Sequence, residues 1–524
     1  MERPTIPPTG TKADELFSDS PELVEAQKEA VRQEVERTRR AAGWIPEPEA
    51  YNFRDYDQRQ AHFVVIRFSS FLEPDHPARM VDLVVERMDL SRLYESYSAE
   101  GKPPFHPKMM LKVLFYGYYK AVMSCRTLWD VVEQRADFIY LAAGQVPNFR
   151  TINSFRLRHL EIMAGLFTQI VMLCQELGMV GFEHLAIDGQ KIQANASYRR
   201  SKNLEQMEKE YAKVRAGMEK LLGKEVNEDF PQELKEKRLG RLEEKAAGLE
   251  ELKRDLQALE DEKARLNMSD KDAPIMRHKD GTSVPSYNHQ SATDGLCGVV
   301  CAVQTTQEND RPKDLLPLVD QTKENTGGEH AAIIADCGFN SYEVMQTIEE
   351  ERTEEFYVPD RLFESSKSAE EEKSKYSMDR FERMEDGGIR CPQGQEMKHI
   401  RRENHEDGHQ VDTWEGTACG QCAQRDKCPS QAKRRISVDS REGCRSRMRE
   451  KLLSDKGREI YMKRQGIAEA VHGDDQRNHG WRQHHLRRLA KATGEFLLMR
   501  IATNLRKIVK YRSQEFLTLV MNEG

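Results

Sequence analysis

HLAIDGQKI, residues 184–192, and AAIIADCGFNS, residues 331–341, share one design: an apolar run that closes on an aspartate, Asp188 in the first and Asp336 in the second. A short apolar run bounded by polar residues and glycine suits a strand buried in a parallel or mixed sheet. In open α/β sheets, ligands collect outside the carboxyl ends of strands, and both aspartates are expected there. A third acidic residue, Glu469, sits in the basic, helical stretch YMKRQGIAEAVHGDDQR, residues 461–477. An isolated aspartate at a strand end is usually a turn or cap residue. Two of them together with a carboxylate on a later helix can instead converge on a pair of hard divalent cations such as Mg²⁺, which take oxygen ligands and leave positions open for phosphate. That is the chemistry of a metal-dependent polynucleotidyl transferase.

Working outward, the sequence around these runs predicts an α/β core with interruptions. VPSYNHQSATD and GLCGVVCAVQTT read as paired strands, DLLPLVDQTKENT as a helix, AAIIAD as a strand, SYEVMQTIEEE as a helix and EEFYVPD as a further strand. The expected order is that of a ribonuclease-H-like core over 181–199 and 268–360. Between its two parts, residues 200–267 carry Leu204, Met207, Tyr211, Val214, Met218 and Leu221, then Leu242, Leu249, Leu252, Leu256, Leu259 and Leu266. Steps of three and four predict a coiled-coil hairpin or a subunit-pairing seam, with GKEVNEDFP as the break. Asp310, in QENDRPKD, reads as a helix-start residue rather than a fourth ligand.

Upstream, residues 1–55 form a charged tail with one helix expected from Pro21 to Arg40, and residues 56–180 an all-α domain. Within that domain RTLWDVVEQRADFIYL and NFRTINSFRLRHL suggest short helices in a helix-turn-helix-like arrangement that could hold a DNA groove, with Thr151 and Asn153 as caps. Residues 361–455 are a hydrophilic, Cys-rich insertion. Residues 456–524 return to helix and carry Glu469.

Composition bounds the class. The 524 residues are 38% hydrophobic and 32% charged, with a net charge of −7. There is no apolar span of the roughly 20 residues needed to cross a bilayer, and MERPTIPPTGTKADELF lacks the pattern of a secretory signal. A cytoplasmic protein with no membrane partner is the expectation. Charge is distributed unevenly: residues 1–50 hold 7 Lys/Arg against 11 Asp/Glu, whereas residues 451–512 hold 15 against 6. The basic balance falls around the third carboxylate, where a phosphate backbone would be drawn.

With these residues in order, the chain resembles the DDE transposases of bacterial insertion sequences, in the long subgroup with a helical N-terminal domain and a cysteine-bearing insertion. The resemblance spans about 52–510. RDYDQRQ, HPARMVDLVVERMDLSRLYESY and KPPFHPKMMLKVLFYGYYKAVMSCRTL are similar to the N-terminal block, HLAIDGQKIQANAS and IADCGFNS to the first two acidic motifs, YNHQSATD to the strand between them, and RIATNLRKI to the closing helix. Tyr461, Arg464 and Glu469 match the Tyr–Arg–Glu series of the third motif. The resemblance implies that Asp188, Asp336 and Glu469 are catalytic and bind two Mg²⁺ or Mn²⁺ ions, and that Tyr461, Arg464, Gln476 and Arg477 face DNA. It implies terminal inverted repeats and target DNA as partners, a homodimer that holds two element ends, and a place at the bacterial nucleoid. One departure stands out. Where the family carries lysine seven residues after the glutamate this chain has Gln476, and His472-Gly473 replaces a Phe-Gly pair. Two other readings therefore stand beside the main one: an inactive or domesticated derivative that binds DNA without cutting it, and a nuclease of the same fold that does not transpose.

Ten cysteines in a chain of this kind are expected to stay reduced. Cys391, Cys419, Cys422 and Cys428 include a CxxC pair and would suit a tetrahedral structural Zn²⁺, with Cys444, His399, His405 and His409 as spare ligands. Cys125, Cys174, Cys297, Cys301 and Cys337 read as ordinary thiols in apolar surroundings.

Overall fold

The run ending at Asp188 forms the middle of a mixed six-stranded sheet in the computed structural model, which describes residues 68–523 apart from 99–102, 223–231, 260, 262–263, 367–375, 377–379, 385–386, 407 and 429–432. The expected N-terminal tail and its helix, the start of the helical region and the GKEVNEDFP break lie outside the described residues. The strands are β1 (His184–Gln193), β2 (Ile275–Arg277), β3 (Ser283–Asp294), β4 (Val300–Thr306), β5 (Ala332–Ala335) and β6 (Glu355–Tyr357). Their order is β2-β3-β1-β5-β6, with β4 also paired to β3. β1 runs antiparallel to β3, from Leu185 opposite Asp294 to Gln193 opposite Ser286. It runs parallel to β5, from His184 beside Ala332 to Ile187 beside Ala335.

This register corrects one expectation. Asp188 is the fifth of ten residues in β1, not its end. What ends at Ile187 is the parallel pairing to β5, while the antiparallel pairing to β3 carries the strand on to Gln193. The apolar run stops where β5's cover stops, and that change of residue type is what the sequence displays.

The helical region comprises α1 (Pro77–Arg87), α2 (Pro107–Tyr119), α3 (Cys125–Gln134), α4 (Ala136–Leu141), α5 (Phe149–Arg158) and α6 (Met163–Glu176). α5 begins earlier than its expected caps. Asn148 is the N-cap, its side chain accepting from the N–H groups of Arg150 and Thr151, while Asn153 lies inside the helix. A short acceptor just after Pro147 satisfies the first-turn donors, so Thr151 is left to donate its hydroxyl to Asn148 at 3.3 Å.

Residues 204–258 supply α7 (Leu204–Leu222) and α8 (Gln232–Ala258), which lie antiparallel with Lys245 on Glu210 at 2.9 Å and Lys253 near Glu208 at 3.8 Å. They bury only Met207, Val214, Leu249, Leu252 and Leu256. α9 (Leu315–Thr326) and α10 (Tyr342–Glu351) cover one face of the sheet, closing a core that includes Leu185, Ile187, Leu318, Val319, Ile333, Phe339 and Met345.

Further on, β7 (Met397–Asn404), β8 (Gln410–Gly416) and β9 (Arg435–Asp439) make a separate antiparallel sheet around Trp414, Met397, Ile436 and Val438. Then follow α11 (Glu442–Leu453), α12 (Asp455–Arg464), a π-helical turn over Gln465–Glu469, α13 (Ala470–Arg477) and the long α14 (Leu489–Glu523). α14 packs on α6, α2 and β4, so the helical region and the far face of the sheet share one apolar core. Among the described residues no single helix is long and apolar enough to cross a membrane.

Candidate active site

Asp188 and Asp336 follow the last parallel pair, Ile187 and Ala335, so they stand side by side where β1 and β5 part, at a strand spacing of about 4.8 Å. Backbone N–H groups fix both: Gly189 donates to Asp188 Oδ1 at 2.9 Å and Gly338 to Asp336 Oδ1 at 2.8 Å. Asp188 is only 4% exposed. Burial pushes its carboxyl up to about 6; Asp336 pushes the same way, and Arg464 opposes both. Asp336 is also raised, first by burial and then by Asp310, against the pull of Arg464 and Lys279.

The counter-charge comes from the third motif. α12, the π-turn and α13 run over the sheet, with the turn against β1 and β3. Arg464, the last residue of α12, reaches Asp188 Oδ2 at 3.5 Å. Burial works against its charge, but Asp188, Tyr461, Asp336 and Glu469 outweigh it and hold the guanidinium protonated. One turn of α13 further, His472 places Nδ1 at 3.0 Å from Gln190 Oε1 and Nε2 at 3.9 Å from Asp188 Oδ2. Burial lowers its pKa to about 3, so the ring is neutral. Glu469 itself is exposed on the π-turn, as are Gln476 and Arg477 at the end of α13. Tyr461 is half-buried against Phe363.

Two residues that the local sequence does not assign to this site belong to its walls. Asp310 turns away from the helix start, where Asp314 takes the capping role. Its Oδ1 accepts from Asn288 Nδ2 at 2.8 Å and Gln290 Nε2 at 3.0 Å, both on β3. It packs so closely against Gly189 that a side chain there would collide with its carboxylate, and a Cβ at Gly338 would stand 3.2 Å from its own Cβ. Close approach thus requires glycine at 189 and leaves little room for a side chain at 338. Lys279, on the turn between β2 and β3, acts electrostatically on Asp188, Asp336 and His472. Periodicity marks neither residue. A conspicuous glycine close after each aspartate is the available signal that something must pass nearby.

Asp336 thus acts electrostatically on Asp188, with Asp310 packed against Gly189 and Gly338, one guanidinium at ion-pair range of Asp188 and one lysine further out. The surplus negative charge in a desolvated setting is of the kind a divalent cation offsets. Among the described residues no three His, Cys, Asp or Glu side chains are drawn together as a ready ligand set. Glu469 acts electrostatically on Arg464, the guanidinium that Asp188 and Asp336 also hold. The four cysteines Cys391, Cys419, Cys422 and Cys428 line one cavity of about 50 Å³ beneath Met397 and Phe381. Burial raises the Cys428 thiol, and Cys419 and Cys422 add to the rise.

Known families agree with this layout. Residues 66–158 match the family described as Transposase domain (DUF772), and residues 390–509 match Transposase DDE domain. The second match covers the α12–α14 stretch with Arg464, Glu469 and His472. No curated protein and no solved structure matches the chain. The two matches together indicate a DDE-type transposase of the insertion-sequence kind, and the DDE domain family implies polynucleotidyl transferase or nuclease activity.

Proposed function

We propose that this transposase binds the terminal inverted repeats of its own insertion sequence and carries out metal-dependent end cleavage and strand transfer, with Asp188, Asp336 and Glu469 as its acidic residues. The observation that carries the reading is the adjacent pair of buried Asp188 and half-buried Asp336, both with raised pKa values, facing Arg464 from the stretch that matches the DDE family. Such a pair is costly to ionise without a cation and is out of place in a core with a purely structural task. The aspartates would hold Mg²⁺ or Mn²⁺, with Glu469 supplying the third carboxylate. Two bound ions would activate the attacking oxygen and stabilise the leaving one.

The chain's own residues do the rest. Arg464 balances the pair before a cation arrives and is placed to meet a phosphate oxygen afterwards. His472, neutral and tied to Gln190, keeps water from one side of Asp188 without adding charge. Tyr461, Gln476 and Arg477 would border the DNA, and the basic balance of α12–α14 would draw its backbone. The helical region with α3 and α5 would grip the repeat, and a homodimer would hold both ends. α7 and α8 would serve as a coiled-coil insertion. The four cysteines would hold one structural Zn²⁺, with the chemistry of a Cys₄ set.

Purified protein with a labelled duplex carrying the gene's flanking repeats tests this directly. Nicks at the repeat boundary that need Mg²⁺ or Mn²⁺ and vanish in Asp188→Ala and Glu469→Ala are expected. Cleavage that persists in both variants would remove these carboxylates from the mechanism. Repeat binding without any cleavage in the parent would favour the inactive, DNA-binding alternative that Gln476 raises.

A further inference from the structure

A cleft of about 540 Å³ opens between the N-terminal ends of α3 and α5, lined by Ser124, Cys125, Arg126, Phe149, Arg150 and Arg156 together with His485. Its floor holds an unusual charge. Arg156 is 4% exposed, and its guanidinium donates only to neutral oxygens: Tyr118 Oη at 3.2 Å, the Met123 carbonyl at 3.2 Å and Asn153 Oδ1 at 2.9 Å. Its Nε–H is buried with no partner. Among the described residues no carboxylate lies within hydrogen-bonding range of it; Glu495 acts from behind Tyr118, whose hydroxyl it accepts from at 3.4 Å. A buried cation left to neutral acceptors is expensive, and an anion entering the cleft would relieve it.

The rim points the same way. Arg126 and Arg150 are exposed and meet the Phe149 ring at 5.3 and 5.7 Å, with no carboxylate partner among the described residues. The Ser124 side chain does not cap α3, so the first-turn N–H groups of this ten-residue helix face the cleft uncapped. Such an end is an anion site when basic side chains flank it. From the opposite wall comes His485, whose backbone N–H and Nδ1 are both bound to Glu495, at 3.0 Å in each case, which fixes the ring.

We infer that this cleft takes a backbone phosphate of the element-end DNA, gripped by Arg126, Arg150, Arg156 and the N-terminus of α3. The inference rests on the end-binding reading above and adds to it where the DNA is held. The segment carrying His485 is fastened to β1, the His484 N–H donating to the Gln193 carbonyl at 2.8 Å. Gln193 lies five residues beyond Asp188 on that strand, or about 17 Å at roughly 3.4 Å per residue. The cleft's His485 wall is therefore tied to the strand that carries Asp188. A bond to phosphate carries no base information, so it strengthens every duplex alike.

The test uses the full chain in EDTA, with fluorescence anisotropy on a flanking-repeat duplex and a scrambled duplex from 50 to 200 mM salt. Arg126→Gln, Arg150→Gln and the double variant are compared with the parent, with thermal melts as the folding control. The double variant is expected to bind both duplexes about 10- to 100-fold more weakly, and its log–log salt slope to shrink by about 0.9 for each phosphate it no longer neutralises. An unchanged affinity and slope in a folded double variant overturns the cleft while leaving end binding intact. A loss confined to the repeat duplex also overturns it, because the arginines would then be reading bases. A parent that binds no duplex refutes the end-binding reading beneath it. In the parent, a scan of single neutral methylphosphonates along the repeat should find one position that costs as much as Arg126→Gln does on natural DNA, and nothing further in that variant.

Discussion

Replacing Asp188 by asparagine should stabilise the metal-free protein while abolishing cleavage. The folded carboxyl sits at about 6, against an ordinary value of 3.8. The sign follows from linkage: a carboxyl raised on folding holds its proton more tightly in the native state, so its ionisation costs stability as pH rises through that interval. The cost already contains the help from Arg464. It amounts to about 1.6 kcal/mol at pH 5 and about 3 kcal/mol at pH 8. Asparagine removes the ionisation without changing the side chain's size. For a 524-residue chain, an unfolding entropy of about 2.1 cal/mol/K per residue converts about 3 kcal/mol into a rise of about 3 °C in Tm at pH 8, and about half that at pH 5. Scanning calorimetry in EDTA at the two pH values reads the difference. Adding Mg²⁺ should then raise the parent's Tm and leave Asp188→Asn unmoved, since a ligand stabilises only the state that binds it. A variant that is less stable than the parent at pH 8, or shifted equally at both pH values, would refute the idea that Asp188 is held in a desolvated, cation-seeking site.

Other expectations follow from the same geometry. Lys279→Ala should slow single-turnover cleavage about tenfold, or about 1.4 kcal/mol in the barrier. Adding Gln476→Lys should recover part of that loss if the hairpin lysine supplies the charge that α13 lacks; no effect of either change on the rate would exclude it. Gly189→Ala would push a methyl group into Asp310, costing about 1–3 kcal/mol of stability as overpacking, and Gly189→Ala with Asp310→Ala should regain most of it in denaturant melts. The purified chain should contain one zinc per protomer by elemental analysis, and Cys419→Ser should lose it; a metal content unchanged by that substitution would rule out this set of thiols.

What can be read from the sequence divides along the distance over which each signal acts. The strands around Asp188 and Asp336 are visible because burial on both faces leaves a continuous apolar run, and their helices because the apolar period changes to three and four. The residues that complete the site arrive through tertiary paths that no local pattern marks. Lys279 is delivered by a turn, Asp310 by the loop between β4 and α9, which packs against Gly189, and His485 by a chain segment about 330 residues away from the cleft's own Arg156. Asp310 reads as a helix start because Pro312 and Asp314 follow it, and the local rule applies one turn too early. The third motif shows the remaining limit. Its residue order specifies a helix, but the π-turn at Gln465–Glu469 changes which residues share a face. On a regular helix Arg464 and His472, eight residues apart, would be about 80° out of line. The wider turn brings both to Asp188. Extra residues of this kind gather at functional sites because they are costly elsewhere. The π-turn is therefore the element whose register sets how Arg464 and His472 meet Asp188.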